Sequence, residues 1–237
     1  MELSRLSYLQ RGEGKDMVFL HGYLSSKECF AAQTAYFSRF CRVTAIDFPG
    51  FGGAEPLAEA FSVADYAAWT KGALSALGVE KPHVVAHSFG CRVAVKLAAQ
   101  NPDLFDKILL TGPAGIILRR GAGYRAKVGA YRLAKKIAPR FAERHFGSAE
   151  YRTLSPLMRE SYKKIVNEDL RGDARKIENE VFIVEGREDS TTPPEEAEVY
   201  LSCLARGRLR ETEGGHFAFA EYPVVFNLMA EEFFFHG

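Results

Sequence analysis

Three polar side chains, far apart in the sequence, form the combination that activates a serine for attack on a carbonyl carbon. Ser88 lies between small residues in Ala86-His87-Ser88-Phe89-Gly90. Asp189 follows a buried strand pattern, and His216 follows two glycines. A serine hydroxyl is a poor nucleophile until a base removes its proton, and a carboxylate must hold the tautomer of that base. We therefore predict Ser88 as nucleophile, His216 as base and Asp189 as the carboxylate.

Other side chains compete for these roles. Glu185 and Glu188 lie in the same segment and are the alternative carboxylates. His87 is the rival base, but it adjoins the serine, and its ring should point away from the substrate pocket. Ser88 as a simple helix N-cap is the structural alternative. That alternative leaves the small residues at positions 86 and 90 unexplained.

The elements around Ser88 must present its hydroxyl. An apolar run that begins at His83 ends at the serine, and an alanine-rich helix pattern follows it. A tight turn between a strand and a helix strains its central residue and requires small residues two positions before and after it. The N-terminus of the helix offers backbone N–H groups and the positive end of the helix dipole.

Short apolar strand patterns alternate with helix patterns along the chain. The strand patterns lie at 3–10, 17–20, 43–46, 83–87, 107–111, 181–184 and from 209 onward. The helix patterns lie at 27–40, 62–77, after Ser88, at 194–205 and from 216 to 234. This alternation predicts an α/β fold with a mostly parallel central sheet and helices on both faces. Catalytic residues are expected at the carboxyl ends of the strands.

An insertion interrupts this pattern. Roughly 65 residues without a strand pattern separate the strands at 107–111 and 181–184, far more than a crossover helix needs. We predict a core formed by 1–114 and 177–237 and a helical cap or lid formed by 115–176. Between Ile117 and Leu170, thirteen Lys and Arg stand against five Asp and Glu, so this segment carries +8 and the remainder −7. A solvated helical face is the default explanation; attraction of anionic substrates or weak association with a lipid surface is the alternative.

Composition narrows the class of protein. The 237 residues carry a net charge of +1, which gives no argument for a nucleic-acid partner. No run is long and apolar enough to span a bilayer, and no signal segment is predicted at the N-terminus. The cysteines are scattered without a C-x-x-C pair, at positions 29, 41, 91 and 203. They predict reduced thiols rather than metal ligands, and a cytoplasmic location. No cofactor is expected, because Gly50-x-Gly52 lacks the third glycine of a dinucleotide fingerprint.

Taken together, these motifs resemble the α/β-hydrolase superfamily, in its small lidded group with an HG-x loop. The matching segments are His21-Gly22-Tyr23, Asp47-x-Pro49-Gly50-x-Gly52, Ala86-x-Ser88-x-Gly90, Gly186-x-x-Asp189 and Gly215-His216. Ala86 departs from the commoner glycine, and a methyl group there is usually tolerated. The resemblance implies a carboxylesterase-like serine hydrolase, with a helical cap where the insertion lies.

The resemblance also implies the groups around the reacting carbonyl. The backbone N–H groups of Tyr23 and Phe89 would form the oxyanion hole, and two such donors lower the barrier by several kcal/mol. The expected substrate pocket includes His21, Gly22, Arg92, Tyr124 and Phe217. For His21 we expect bracing of the oxyanion loop by hydrogen bonds rather than chemistry, and for Arg92 an ion pair on the helix surface rather than contact with a substrate carboxylate.

Three functions follow as hypotheses. The favoured one is cofactor-independent hydrolysis of a carboxylic ester of a small or medium acyl group through an acyl-enzyme. The second uses the same triad for hydrolysis of a carbon–carbon bond, or for elimination, in an anionic diketo-type substrate. The third is a receptor-like protein that binds a small molecule with little turnover, and the complete triad argues against it.

Overall fold

A computed structural model describes residues 2–118 and 154–236 of the chain. In these ranges the strands form one sheet in the order β1-β3-β2-β4-β5-β6-β7. The first strand pairs antiparallel with β3, and every other neighbouring pair is parallel. The strands are β1 (Tyr8–Arg11), β2 (Lys15–Leu20), β3 (Cys41–Ile46), β4 (His83–His87), β5 (Ile108–Thr111), β6 (Val181–Gly186) and β7 (Gly207–Thr212).

Helices cover both faces of the sheet, so the predicted α/β class is confirmed. Along β2, Met17 and Phe19 belong to one apolar cluster, and Val18 and Leu20 belong to another on the opposite face. The described helices are α1 (Ala31–Phe37), α2 (Val63–Ala76), α3 (Phe89–Gln100), α4 (Pro156–Val166), α5 (Arg171–Ala174), α6 (Pro194–Cys203), α7 (Ala218–Glu221) and α8 (Pro223–Glu231). None of these described helices is both long and apolar enough to cross a membrane.

Three predicted elements differ in the structure. The N-terminal strand pattern begins with a 3₁₀ helix at Leu3–Arg5, and only its end joins the sheet as β1. The helix predicted from residue 27 starts as a 3₁₀ turn and ends at Phe37. The single C-terminal helix is divided at Tyr222, because Pro223 lacks an N–H and pushes the residue before it out of the helical region.

The predicted cap is described only at its two ends. Residues 119–153 lie outside the described ranges, and α4 and α5 follow them. The described ends are tied together, since the N–H of Leu170 donates to the carbonyl of Gly115 at 2.8 Å. The guanidinium of Arg171 donates to the carbonyl of Ile117 at 3.0 Å. The domain boundaries at 114/115 and 176/177 stay predictions.

Candidate active site

Ser88 stands at a strained turn between β4 and α3. Its backbone has φ 50° and ψ −110°, the left-handed side that residues other than glycine rarely adopt. Such a conformation costs on the order of 1–3 kcal/mol and persists only when the surrounding packing enforces it. A Cβ at position 90 would lie 2.1 Å from the carbonyl oxygen of Leu20. Glycine is therefore required there, because α3 starts directly against the end of β2.

The structure brings His216 within hydrogen-bond distance of both predicted partners. Its Nε2 lies 2.9 Å from the Ser88 hydroxyl oxygen, and its Nδ1 lies 2.7 Å from Oδ2 of Asp189. An ionised carboxylate only accepts hydrogen bonds, so the imidazole donates from Nδ1 and presents the Nε2 lone pair to the serine proton. This is the tautomer that a general base for Ser88 requires.

Asp189 is held as a carboxylate by donors on both oxygens. Oδ1 accepts from the N–H groups of Thr191 at 2.7 Å and Thr192 at 2.9 Å. Oδ2 accepts from His216 and, at 2.9 Å, from the Thr192 hydroxyl. Burial opposes ionisation, but the hydrogen bonds from His216 and Thr192 outweigh it and lower the pKa of Asp189 to about 2. The group is therefore charged at neutral pH.

Thr192 is a site residue that the motif analysis missed. Its hydroxyl also lies 3.1 Å from Nδ1 of His216, so it contacts both members of the pair. A weak signal was present in the sequence. An aspartate that is followed two and three residues later by threonine commonly folds back onto the backbone N–H groups after it.

The competing carboxylates do not take the position of Asp189. Glu188 is exposed, whereas Glu185 is fully buried at the end of β6. Burial and the neighbouring Asp189 charge raise the pKa of Glu185 to about 9, so its carboxyl group is neutral near pH 7. A neutral acid cannot stabilise an imidazolium as a carboxylate does.

The buried Glu185 predicts a pH-dependent stability. In the unfolded chain its pKa returns to 4.5, so between about pH 5 and 9 only the folded state keeps this proton. The free energy of unfolding then falls as pH rises, by on the order of 1 kcal/mol per pH unit. We expect Glu185→Gln to remove this slope, so that the gain in melting temperature is near zero at pH 5 and grows towards pH 9. Thermal unfolding at pH 5, 7 and 9 measures it.

Glu188→Gln is the matched control, because the same change at an exposed carboxylate should give no pH-dependent difference. A gain for Glu185→Gln that is equal at all three pH values would contradict a neutral buried acid.

The predicted oxyanion residues lie on two segments beside Ser88. Phe89 is the first residue of α3, so its N–H has no carbonyl partner inside that helix. The HG-x loop approaches from the other segment, where a Cβ at Gly22 would lie 3.3 Å from the Cβ of Ser88. The ring of Tyr23 meets the ring of Phe89 edge to face at 5.7 Å, and its hydroxyl donates to the carbonyl of Met158 at 3.1 Å.

His21 corrects one pocket prediction. The ring is fully buried, with Nδ1 2.7 Å from the carbonyl of Gly22 and Nε2 accepting from the N–H of Phe48 at 3.0 Å. Burial lowers the pKa of His21 to about 4, so the ring is neutral. Both nitrogens are engaged by the backbone. His21 therefore braces the HG-x loop, which is the role that the sequence favoured, and its buried ring does not line a pocket.

Arg92 corrects another pocket prediction. Its guanidinium is buried, and Nη1 donates to the carbonyls of Ile165 and Glu168, each at 2.9 Å. Neither predicted contact, a substrate carboxylate or a surface ion pair, is the one that the structure shows. Ile165 lies in the last turn of α4 and Glu168 lies two residues beyond its end, so the basic side chain caps carbonyls around the C-terminus of this helix.

Of two further predicted pocket residues, Phe217 lies in the part of the chain that the structure describes and Tyr124 does not. Phe217 is 43% exposed and packs edge to face against His216 at 5.5 Å. It stays a candidate for the rim of the pocket. Tyr124 lies outside the described residues.

A cavity of about 440 Å³ opens beside the HG-x loop. Its described lining residues are all uncharged: Leu24, Gly50, Gly52, Ala54, Pro56, Leu57, Leu154, Ser155, Leu157 and Met158. A second cavity, of about 490 Å³, lies between the N-terminal segment and residues 54–61. No residue of the predicted triad lines either cavity. Within the described ranges, no three His, Cys, Asp or Glu side chains form a group that could hold a metal ion.

Comparison with known families identifies the chain. The family model for the alpha/beta hydrolase fold matches residues 16–149, more than half of the sequence. The chain belongs to the α/β-hydrolase fold family. The resemblance predicted from the motifs is thereby confirmed, as is the expectation of an α/β-hydrolase.

Two curated relatives of this α/β-hydrolase are named for different substrates. It is 25% identical to the 2-hydroxymuconate semialdehyde hydrolase of Pseudomonas putida, over 97% of this chain and 90% of the relative. It is 26% identical to the (E)-2-((N-methylformamido)methylene)succinate hydrolase of Acinetobacter baylyi, over 51% of this chain. That match spans only 45% of the relative's length.

Solved structures share the fold over nearly the whole length of this chain. An esterase from Exiguobacterium antarcticum superposes with a TM-score of 0.76 at 22% identity, covering 96% of this chain and 94% of that one. A meta-cleavage product hydrolase from Pseudomonas fluorescens superposes with a TM-score of 0.75 at 23% identity, covering 97% and 93%. At these identities the likeness shows the fold alone.

Proposed function

We propose that this α/β-hydrolase cleaves carboxylic esters of small or medium acyl groups through an acyl-enzyme. One observation carries the proposal. A continuous line of hydrogen-bond contacts runs from the Ser88 hydroxyl through His216 to Asp189, at 2.9 and 2.7 Å, with the carboxylate buried and ionised. This arrangement can remove the serine proton and store the resulting positive charge.

The proposed steps follow from the geometry. The Ser88 oxygen attacks the ester carbonyl carbon while its proton passes to Nε2 of His216. The negative charge that develops on the carbonyl oxygen is stabilised by the N–H groups of Phe89 and Tyr23. The tetrahedral intermediate collapses, the C–O bond breaks, and His216 returns the proton to the leaving alcohol. Water then attacks the acyl-enzyme with the same base, releasing the acid and restoring the Ser88 hydroxyl.

The uncharged cavity supports an uncharged acyl or alcohol portion. Leu24, which lines the cavity, follows the proposed oxyanion donor Tyr23 in the sequence. Met158 also lines the cavity, and its backbone carbonyl accepts a hydrogen bond from the Tyr23 hydroxyl. Apolar walls favour alkyl groups, whereas a carboxylate in them would lose its hydration without a partner.

A second candidate is hydrolysis of a carbon–carbon bond in a diketo-type acid. It is favoured by the match to the Pseudomonas putida 2-hydroxymuconate semialdehyde hydrolase, which extends over 97% of this chain. The same serine, base and carboxylate serve either reaction, so the triad geometry does not separate them. The uncharged described lining of the cavity favours the ester.

A substrate panel tests the proposal. We expect turnover of p-nitrophenyl acetate, butyrate and hexanoate by the purified chain, and negligible release from an anionic 2-hydroxy-6-oxo-dienoate. Labelling by a fluorophosphonate probe, with the adduct at Ser88, is expected under the same conditions. Fast cleavage of the dienoate with negligible esterase activity would favour the second candidate. A protein without labelling or turnover would support the receptor-like alternative.

We further propose that the substrate is a small molecule and that the protein works in the reducing environment of the cytoplasm. All four cysteines are free thiols, and three of them are buried. Burial raises the pKa of Cys41 to about 11 and that of Cys29 to about 12, so both are protonated near pH 7 and inert.

A further inference from the structure

His87, the residue before the nucleophile, contacts the loop that carries the proposed base. Its Nε2 lies 2.9 Å from the backbone carbonyl oxygen of His216, and the two rings are 4.6 Å apart. On its other sides the ring packs against Phe217 and Phe219, each at 4.8 Å between centroids. The side chain is therefore fixed by the segment that must deliver His216 to Ser88.

The chemistry of the contact is determined by burial. His87 is 1% exposed, and burial lowers its pKa to about 3, so the ring is neutral near pH 7. A neutral imidazole has one N–H. Because a carbonyl oxygen only accepts, that N–H must be on Nε2, and it donates to His216.

The same ring also lies against the oxyanion loop. A Cβ at Gly22 would be 2.8 Å from Nδ1 of His87, closer than real carbon atoms come. Nδ1 has no hydrogen-bond partner among the described residues, so the ring meets Gly22 by packing alone. His87 thus contacts three parts of the proposed machinery: the Ser88 turn on its own strand, the loop of His216 and the loop of Tyr23.

We propose that His87 is a positioning residue, which holds the His216 loop at the distance from which Nε2 reaches the Ser88 hydroxyl. This assignment rests on the proposed function. The hydrogen bond acts on the backbone of His216, whereas Asp189 and Thr192 act on its ring. The contacts of Asp189 and Thr192 fix the rotation and the tautomer of the His216 ring. The contact of His87 fixes the position of the His216 backbone. A displacement of about 1 Å at a reacting group can cost on the order of 10²-fold in rate.

Two variants of similar size separate the hydrogen bond from the packing. His87→Gln retains an N–H donor at the ε position, whereas His87→Met fills comparable space without a donor. We expect kcat for p-nitrophenyl butyrate to fall about 10- to 100-fold in His87→Met, with KM changed less than about threefold. His87→Gln should recover most of the loss. The rate of fluorophosphonate labelling at Ser88 should follow kcat in both variants, and melting temperatures report folding.

The outcomes are distinguishable. A His87→Met protein with wild-type kcat, or a Gln variant no faster than the Met variant, would overturn the positioning role. If His87→Met does not fold, His87→Asn takes its place, because its amide is one methylene shorter and falls short of the carbonyl. Wild-type protein that neither hydrolyses esters nor labels would overturn the proposed function itself.

Discussion

Replacing Ser88 by alanine is expected to lower kcat for ester hydrolysis by about 10⁵- to 10⁶-fold, the scale seen when a serine protease loses its nucleophile. The reason is geometric. The hydroxyl oxygen is the atom that lies 2.9 Å from Nε2 of His216, and the alanine side chain offers no atom that can be acylated. Steady-state turnover of p-nitrophenyl butyrate measures the loss, and fluorophosphonate labelling should disappear with it.

The Ser88→Ala protein should remain folded. The turn depends on glycine at position 90 and on the close approach of α3 to β2, both of which the substitution leaves in place. Ser202→Ala is the matched control, because it removes a hydroxyl from an exposed position on α6 and should leave kcat unchanged. Ester turnover by Ser88→Ala within tenfold of wild type, in a folded protein, would contradict the proposed nucleophile.

Asp189→Asn is expected to reduce kcat by about 10⁴-fold, as the same change does in a serine protease triad. The surroundings decide how the asparagine must be oriented. The N–H groups of Thr191 and Thr192 both point at the Oδ1 position, so the amide oxygen must occupy it. The NH₂ group is then placed at 2.7 Å from Nδ1 of His216, where it can only donate. His216 is forced to carry its proton on Nε2 and cannot accept the proton of Ser88.

Thr192→Val provides the control for this prediction. It removes the hydroxyl that donates to Oδ2 of Asp189 but keeps the carboxylate and both backbone donors. We expect a loss in kcat of about tenfold or less, because the tautomer of His216 is unchanged. If Asp189→Asn and Thr192→Val lost activity equally, the tautomer argument would be wrong and Asp189 would act mainly through packing. The pH dependence of kcat is a further measurement that distinguishes Asp189→Asn from Thr192→Val.

The sequence alone predicted the fold class, which is confirmed, and it proposed three side chains that the structure links through hydrogen-bond contacts. Periodicity of apolar residues reports which faces are buried, and the small residues around Ser88 report a turn that tolerates nothing larger. These are local properties, because each depends on a short run of neighbouring residues in the sequence. The Gly-x-x-Asp and Gly-His segments are equally local, so the residue pattern proposes Asp189 and His216, but it leaves Glu185, Glu188 and His87 as rivals.

Only the tertiary structure determined the contacts between segments that are far apart in the chain. The hydrogen bond from His87 to His216 joins residues 129 positions apart. The hydrogen bond from Arg92 to the carbonyl of Ile165, in the last turn of α4, joins residues 73 positions apart. The neutral state of Glu185 likewise depends on what surrounds it in the fold. A residue's type limits which bonds it can make, but the partner that lies within 3 Å is selected by the packing of the whole sheet and its helices. For this reason the motifs assign His21 and Arg92 to the pocket, whereas the structure engages both with backbone groups.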